Sequence, residues 1–123
     1  MSGRLVNVDD YAEAARQRLD PGPYGYVVGG AGDEHTLRAN AAAYGRWELR
    51  PRVLVDVGRV TTATTVLGTE VALPLLVAPT AFQRLCHPDG EVALARAAAS
   101  AGTVMTLSTL SSVTPAELEA GAP

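Results

Sequence analysis

Residues 75–107 read LLVAPTAFQRLCHPDGEVALARAAASAGTVMTL, and these 33 positions decide the fold class. Leu75-Leu76-Val77-Ala78 is a short continuous apolar run between Pro74 and Pro79, the pattern of a strand buried on both faces. Asp89 stands where a helix N-cap belongs, Val92, Leu94, Ala95 and Ala98 supply apolar helix surface, and Gly102 falls where a left-handed C-terminal residue is needed. Val104-Met105-Thr106-Leu107 then repeats the apolar run. Strand, helix and strand within this length make a βαβ unit, which predicts two parallel strands joined by a right-handed crossover.

Downstream, Thr114-Pro115-Ala116-Glu117 is a capping box with proline at the first helical position, so another helix begins there. The order β, α, β, α is then followed only by Gly121-Ala122-Pro123, with Pro123 where the next strand should be approached. A two-stranded parallel sheet is not a natural stopping place, because it leaves strand edges unpaired. Upstream, Thr64 to Leu73 holds Gly68-Thr69 between β-prone runs and predicts a hairpin whose turn has glycine first. Tyr11, Ala15 and Leu19 recur at helical spacing after Asp9 or Asp10 as N-cap, and Asp20-Pro21-Gly22-Pro23 is expected to stop that helix. A short segment, Tyr24 to Val28, leads into Gly29-Gly30-Ala31-Gly32, where glycine implies close backbone approach or positive φ. Asp33 is expected to cap a helix carrying Leu37, Ala41 and Tyr44, which gives way near Gly45 to an irregular stretch with Trp47 and Pro51.

At 123 residues and 47% hydrophobic, the chain reads as one globular unit. A complete (β/α)8 barrel needs about 250 residues, so this length accommodates only a piece of one. The net charge of −3 and scattered arginines provide no field for nucleic acid. All ten basic residues are arginine, which removes a Walker lysine, a Schiff-base lysine and any other lysine-dependent chemistry from the stretch. Cys86 is the sole cysteine, so no intramolecular disulfide or thiolate cage can form and a reducing cytoplasm is expected. The longest apolar stretch, Val71 to Ala78, is broken by Pro74 and far too short to span a bilayer. Acids near the N-terminus stand where a secretion signal would have its apolar core.

Ligands of parallel α/β folds bind at the carboxyl ends of strands. Pro79-Thr80-Ala81-Phe82-Gln83 and Ser108-Thr109-Leu110-Ser111-Ser112 take that position and offer backbone amides, carbonyls and neutral hydroxyls without a charged nucleophile. Such a surface suits a planar hydrogen-bonding heterocycle better than hydrolysis; alternatively these hydroxyls cap the following helices. Gly30-Ala31-Gly32-Asp33-Glu34-His35 opens like a dinucleotide fingerprint but has histidine for the third glycine and follows a helix. Cys86-His87 with Asp89 falls short of a metal set, His35 reads as a surface side chain, and Tyr24, Tyr26 and Trp47 read as core aromatics.

Six ordered segments go further: Tyr26 to Asn40, Leu49 to Val57, Thr64 to Gly68, Ala78 to Ala81, His87 to Glu91 and Ala101 to Ser108. Together they resemble the N-terminal third of the FMN-dependent α-hydroxy acid oxidase and dehydrogenase family, which includes glycolate oxidase, lactate oxidase and mandelate dehydrogenase. The resemblance runs from about Val6 to Glu119. It implies an α/β fold that is the N-terminal fragment of a TIM (β/α)8 barrel, with leading helices, a β-hairpin and the first two βα units, so that residues 1–123 form one partial FMN hydroxy acid dehydrogenase domain. A type 2 isopentenyl diphosphate isomerase, another FMN barrel, fits less well because of Tyr26 and the run after it.

The resemblance also implies roles. FMN is the cofactor, with Pro79, Thr80 and Ala81 matching a loop whose backbone lies against the ring and Ser108 matching a hydroxyl that bonds it. Tyr26 matches a phenol that helps hold the substrate carboxylate, donating a hydrogen bond without neutralising a partner arginine. Leu110 stands where short-chain glycolate oxidases place tryptophan, which implies a roomier apolar pocket for a 2-hydroxy acid larger than glycolate. The family's catalytic histidine, flavin-side lysine and carboxylate-binding arginine have no counterpart here; neither His35 nor His87 matches the base, so no catalytic residue is assigned within the chain. The family reaction oxidises a 2-hydroxy acid to a 2-keto acid by hydride-equivalent transfer to flavin N5, and family members are commonly homotetramers. The alternative expectation is a non-catalytic remnant or a module that completes another chain's barrel.

Overall fold

The computed structural model describes residues 4–122. They fall into two compact units that divide between Val55 and Asp56.

The first unit holds three short helices, α1 (Val8–Arg16), α2 (Pro21–Val28) and α3 (His35–Tyr44). The N-cap of α1 is Asn7 rather than Asp9 or Asp10: its side chain accepts the Asp10 N–H, while the two acids sit in the first turn, where the helix dipole favours them. The Glu13 carboxylate takes paired hydrogen bonds from Arg16 at 2.8 and 2.7 Å and one from Gln17 at 2.8 Å. These bonds hold its pKa down to about 2.

Asp20-Pro21-Gly22-Pro23 does not simply end a helix. It starts α2, because proline at N1 lacks only an N–H that would be unsatisfied anyway and arrives with a helical φ. The glycines that follow behave as anticipated. A Cβ on Gly30 would meet the Leu37 Cβ at 3.1 Å, and Gly32 has φ +54. Asp33 does not cap α3; the N-cap is Glu34, with φ 58. Glu34 turns back so that its carboxylate accepts the Gly30 N–H at 3.1 Å, while the Asp33 carbonyl accepts from the Arg38 guanidinium at 2.5 Å. No residue of these helices is buried. Trp47 is 84% exposed and Tyr26 is 54% exposed, so the core-aromatic reading fails for both; Tyr24 is half-buried.

The second unit opens with irregular chain and an antiparallel hairpin of β1 (Thr64–Val66) and β2 (Thr69–Val71). Its register pairs Val66 with Thr69. The turn is therefore Leu67-Gly68, not Gly68-Thr69, and both residues have positive φ, 49 and 82. That is the I′ pattern, whose twist matches the flanking strands.

The predicted parallel pairing is reduced to one isolated Val77–Met105 bridge, and the run 75–78 is not a strand buried on both faces: Leu75 is 65% and Leu76 41% exposed, with little packed over them to complete a sheet. The Val77 N–H donates to the Val104 carbonyl at 3.0 Å, and the Thr106 N–H donates to the Val77 carbonyl at 3.0 Å. A Gln83–Leu85 3-10 turn, α4 (Gly90–Ser100) and α5 (Pro115–Gly121) complete the unit.

Helix α4 starts after Asp89, although the Asp89 side chain makes no capping bond, and it ends as a Schellman motif. The Thr103 N–H reaches the Ala98 carbonyl and the Gly102 N–H the Ala99 carbonyl, both at 3.0 Å, with Gly102 at φ +68. In α5 both halves of the capping box form between Thr114 and Glu117. These hydrogen bonds hold the Glu117 pKa below its ordinary value. Apolar burial among the described residues centres on Val71, Ala98 and Val113. Pro123, where a further strand was anticipated, lies outside them.

Candidate functional site

The parallel bridge makes the two strand-end segments neighbours, as a βαβ unit requires. Beyond it, the Phe82 N–H donates to the Leu110 carbonyl at 3.0 Å and the Arg84 N–H to the Ser112 hydroxyl at 3.2 Å. Residues 79–83 and 108–112 are thus stitched into one surface at the carboxyl end of both runs.

Between them lies a residue that the sequence shows only as the last of the His87–Glu91 segment. Glu91, in the first turn of α4, is fully buried. Its Oε1 accepts the Ser112 N–H at 2.7 Å and the Gln83 N–H at 3.3 Å, one from each segment. Burial alone would raise its pKa; the backbone N–H groups of Ser112, Glu91 itself and Gln83, with the Ser111 hydroxyl, outweigh that and hold it below the ordinary carboxylate value. The negative charge also sits at the favourable end of the helix dipole. One sequence signal could have found this residue: Glu91 shares the α4 stripe with Leu94, Ala95 and Ala98, an acid at an apolar position.

Glycine at position 90 lets α4 begin so close to the preceding turn. Gly90 has φ +45, and a Cβ there would meet the Arg84 Cγ at 2.8 Å. His87 shapes the same turn, its Nδ1 accepting the Asp89 N–H at 3.1 Å. That bond gives the imidazole a local structural task. Among the described residues no cluster of three or more His, Cys, Asp or Glu is arranged to hold a metal, so Cys86, His87 and Asp89 do not gather into one.

Pro79, Thr80, Ala81, Ser108 and Leu110 all belong to this surface, whereas Tyr26 lies on α2 in the other unit. Pro79 and Thr80 are exposed and Ala81 half-buried. The half-buried Ser108 hydroxyl accepts the Leu110 N–H at 3.1 Å, which commits one lone pair and leaves its O–H available as a donor. Leu110 is 55% exposed. A hydroxyl donor, backbone groups and an apolar side chain, without charge at the surface, fit the edge and face of a flavin ring.

The sequence profile of the FMN-dependent dehydrogenase family matches residues 15–123. Maize glycolate oxidase 1 is 51% identical over 106 residues, covering 86% of this chain and 29% of the maize protein. The peroxisomal (S)-2-hydroxy-acid oxidase GLO4 of rice (Oryza sativa subsp. indica) is 54% identical over 107 residues, covering 87% of this chain and 29% of its own length. The crystal structure of a mandelate oxidase superposes with a TM-score of 0.91 at 44% identity, over 96% of this chain and 34% of that one. A soluble mutant of the membrane-associated (S)-mandelate dehydrogenase from Pseudomonas putida superposes with a TM-score of 0.92 at 38% identity, over 98% of this chain and 34% of that one.

The chain therefore spans about a third of the length of these relatives. No helix among the described residues is long and apolar enough to cross a membrane. The relatives are variously peroxisomal and membrane-associated, and they lend the cytoplasmic expectation no support. With the profile match over most of its length, and relatives well above 30% identity, this chain belongs to the FMN-dependent dehydrogenase family.

Proposed function

We propose that the chain is the N-terminal part of an FMN-dependent 2-hydroxy acid oxidoreductase of (β/α)8 barrel fold, and that it contributes part of the flavin and substrate site. The stitched strand-end surface of residues 79–83 and 108–112 carries this reading, because it lies where barrel enzymes bind their ligands. When bound, FMN supplies the two-electron acceptor for oxidation of a 2-hydroxy acid to a 2-keto acid.

The chain's own residues bind and orient. The backbone of Pro79, Thr80 and Ala81 and the Ser108 hydroxyl would hold the flavin ring. Tyr26 would donate a hydrogen bond from its phenol O–H to the substrate carboxylate. Leu110 forms an apolar wall for a substrate side chain longer than that of glycolate. The proton of the reacting centre is taken by a base from outside these residues, since His87 is engaged in its own turn and the chain has no lysine to assist. On this reading residues 1–123 form a partial domain, inactive alone, and the whole enzyme is a homo-oligomer, a tetramer as in the family.

The test is flavin content and turnover of the native-length protein that carries this sequence, with glycolate, longer aliphatic and aromatic 2-hydroxy acids. One FMN per chain and turnover favouring the larger acids are expected. A protein that takes up no FMN, or turns over none of these acids, instead fits a non-catalytic remnant or a module that completes another chain's barrel.

A further inference from the structure

We infer that Glu91 is a positioning residue, a buried carboxylate that sets the spacing of the two flavin-facing segments through one oxygen; this rests on the function proposed above. Three observations combine. Glu91 has no exposed surface. Its Oε1 alone receives both amides, Ser112 at 2.7 Å and Gln83 at 3.3 Å, from segments 21 and 8 residues away in sequence. Its Oε2 has no hydrogen-bond partner among the described residues, so the bridging role falls entirely on one atom.

A buried carboxylate kept charged by two loops is costly to build where an apolar residue could fill the stripe. What the acid adds is a common acceptor. Gln83 lies two residues after Ala81, and Ser112 two residues after Leu110 and four after Ser108. The remaining cross-links, Phe82 to Leu110 and Arg84 to Ser112, flank this bridge, so all three fix the same spacing. Glu91 touches neither ring nor substrate; it holds the backbone that does.

Because only one oxygen bridges the segments, glutamine can keep the bridge through its carbonyl, at the cost of burying an NH2 group where Oε2 has no partner. The experiment compares Glu91→Ala, Glu91→Gln and Glu91→Asp in the native-length protein, reading FMN affinity, the visible flavin band and amide exchange at Gln83 and Ser112. Glu91→Ala is expected to weaken FMN binding about tenfold or more, shift the flavin band and speed exchange at both amides, since two buried donors lose their acceptor. Glu91→Gln keeps the carbonyl acceptor and recovers the larger part of what alanine loses in all three readouts, which a general requirement for buried charge would not allow. FMN binding by Glu91→Ala equal to wild type, or Glu91→Gln as defective as alanine, overturns the inference.

Should Glu91→Ala not fold, Glu91→Asp decides. It keeps the charge but withdraws the acceptor by one methylene, so it must bind FMN more weakly than Glu91→Gln, and the opposite order counts against the proposal. A wild-type protein that binds no FMN refutes the functional reading instead. In that case exchange at the Gln83 and Ser112 amides still measures the bridge, and unchanged exchange on removal of the carboxylate refutes it.

Discussion

Leu110 is 55% exposed, with its carbonyl tied to Phe82 and its N–H to Ser108, so a change of side chain leaves the backbone bonds of the segment in place. Leu110→Trp in the native-length enzyme should therefore narrow the pocket without loosening it. The expected result is a fall of about tenfold in kcat/KM for long or aromatic 2-hydroxy acids relative to glycolate, the size of effect a hydrophobic pocket produces. An unchanged ratio places Leu110 away from the substrate. Glu91 gives a pH prediction. Its folded pKa lies below the ordinary value of 4.5, so its stabilising contribution is complete above that value and lost as pH falls through the folded pKa. Wild type should lose stability on acidification below about pH 4.5, and Glu91→Gln should lose less over the same range. Parallel curves from chemical denaturation at several pH values would remove Glu91 from the acid response. Its place on the apolar stripe of α4 hints at burial, but its role as common acceptor could not be read from the sequence, because its partners are backbone amides of segments brought together only by the fold.

Among the elements, those with strong local chemistry were legible. The α5 capping box and the αL glycine after α4 formed where Thr114, Glu117 and Gly102 indicated, while the two apolar runs pair in parallel only at the single Val77–Met105 bridge. The errors have local causes too. Pro21 suggests a stop but suits the first turn of a helix, and the hairpin turn lies one residue earlier than Gly68-Thr69 because Leu67 accepts φ 49 ahead of Gly68. A leucine at positive φ costs about 1–2 kcal/mol, which no propensity argument would choose. Gly102 offers the sharpest check at this scale. An added methyl group would meet both the unfavourable φ of +68 and the Ala72 Cβ at 2.8 Å. Gly102→Ala should therefore lower unfolding free energy by about 2 kcal/mol or more, measured by urea denaturation. A loss below about 0.5 kcal/mol, the size of ordinary surface effects, would mean that the end of α4 does not depend on this glycine.

The whole molecule carries many exposed large apolar side chains for its size. Leu49 is 95% exposed, Leu54 104% and Leu67 102%, and the helices of the first unit bury no residue at all. Apolar residue type alone does not tell which side chains are buried, because burial depends on what covers them. On the proposed function, further barrel segments cover them and supply the base. The isolated 123-residue chain should accordingly bind FMN poorly: after purification with excess FMN and desalting, it should be colourless near 450 nm. A stoichiometric yellow complex would mean that these segments build a sufficient flavin site alone. The central claim is tested most directly by anaerobic addition of a 2-hydroxy acid to the native-length protein loaded with FMN. The account predicts bleaching of the flavin band with formation of the matching 2-keto acid; a band unchanged by every 2-hydroxy acid tried would contradict it.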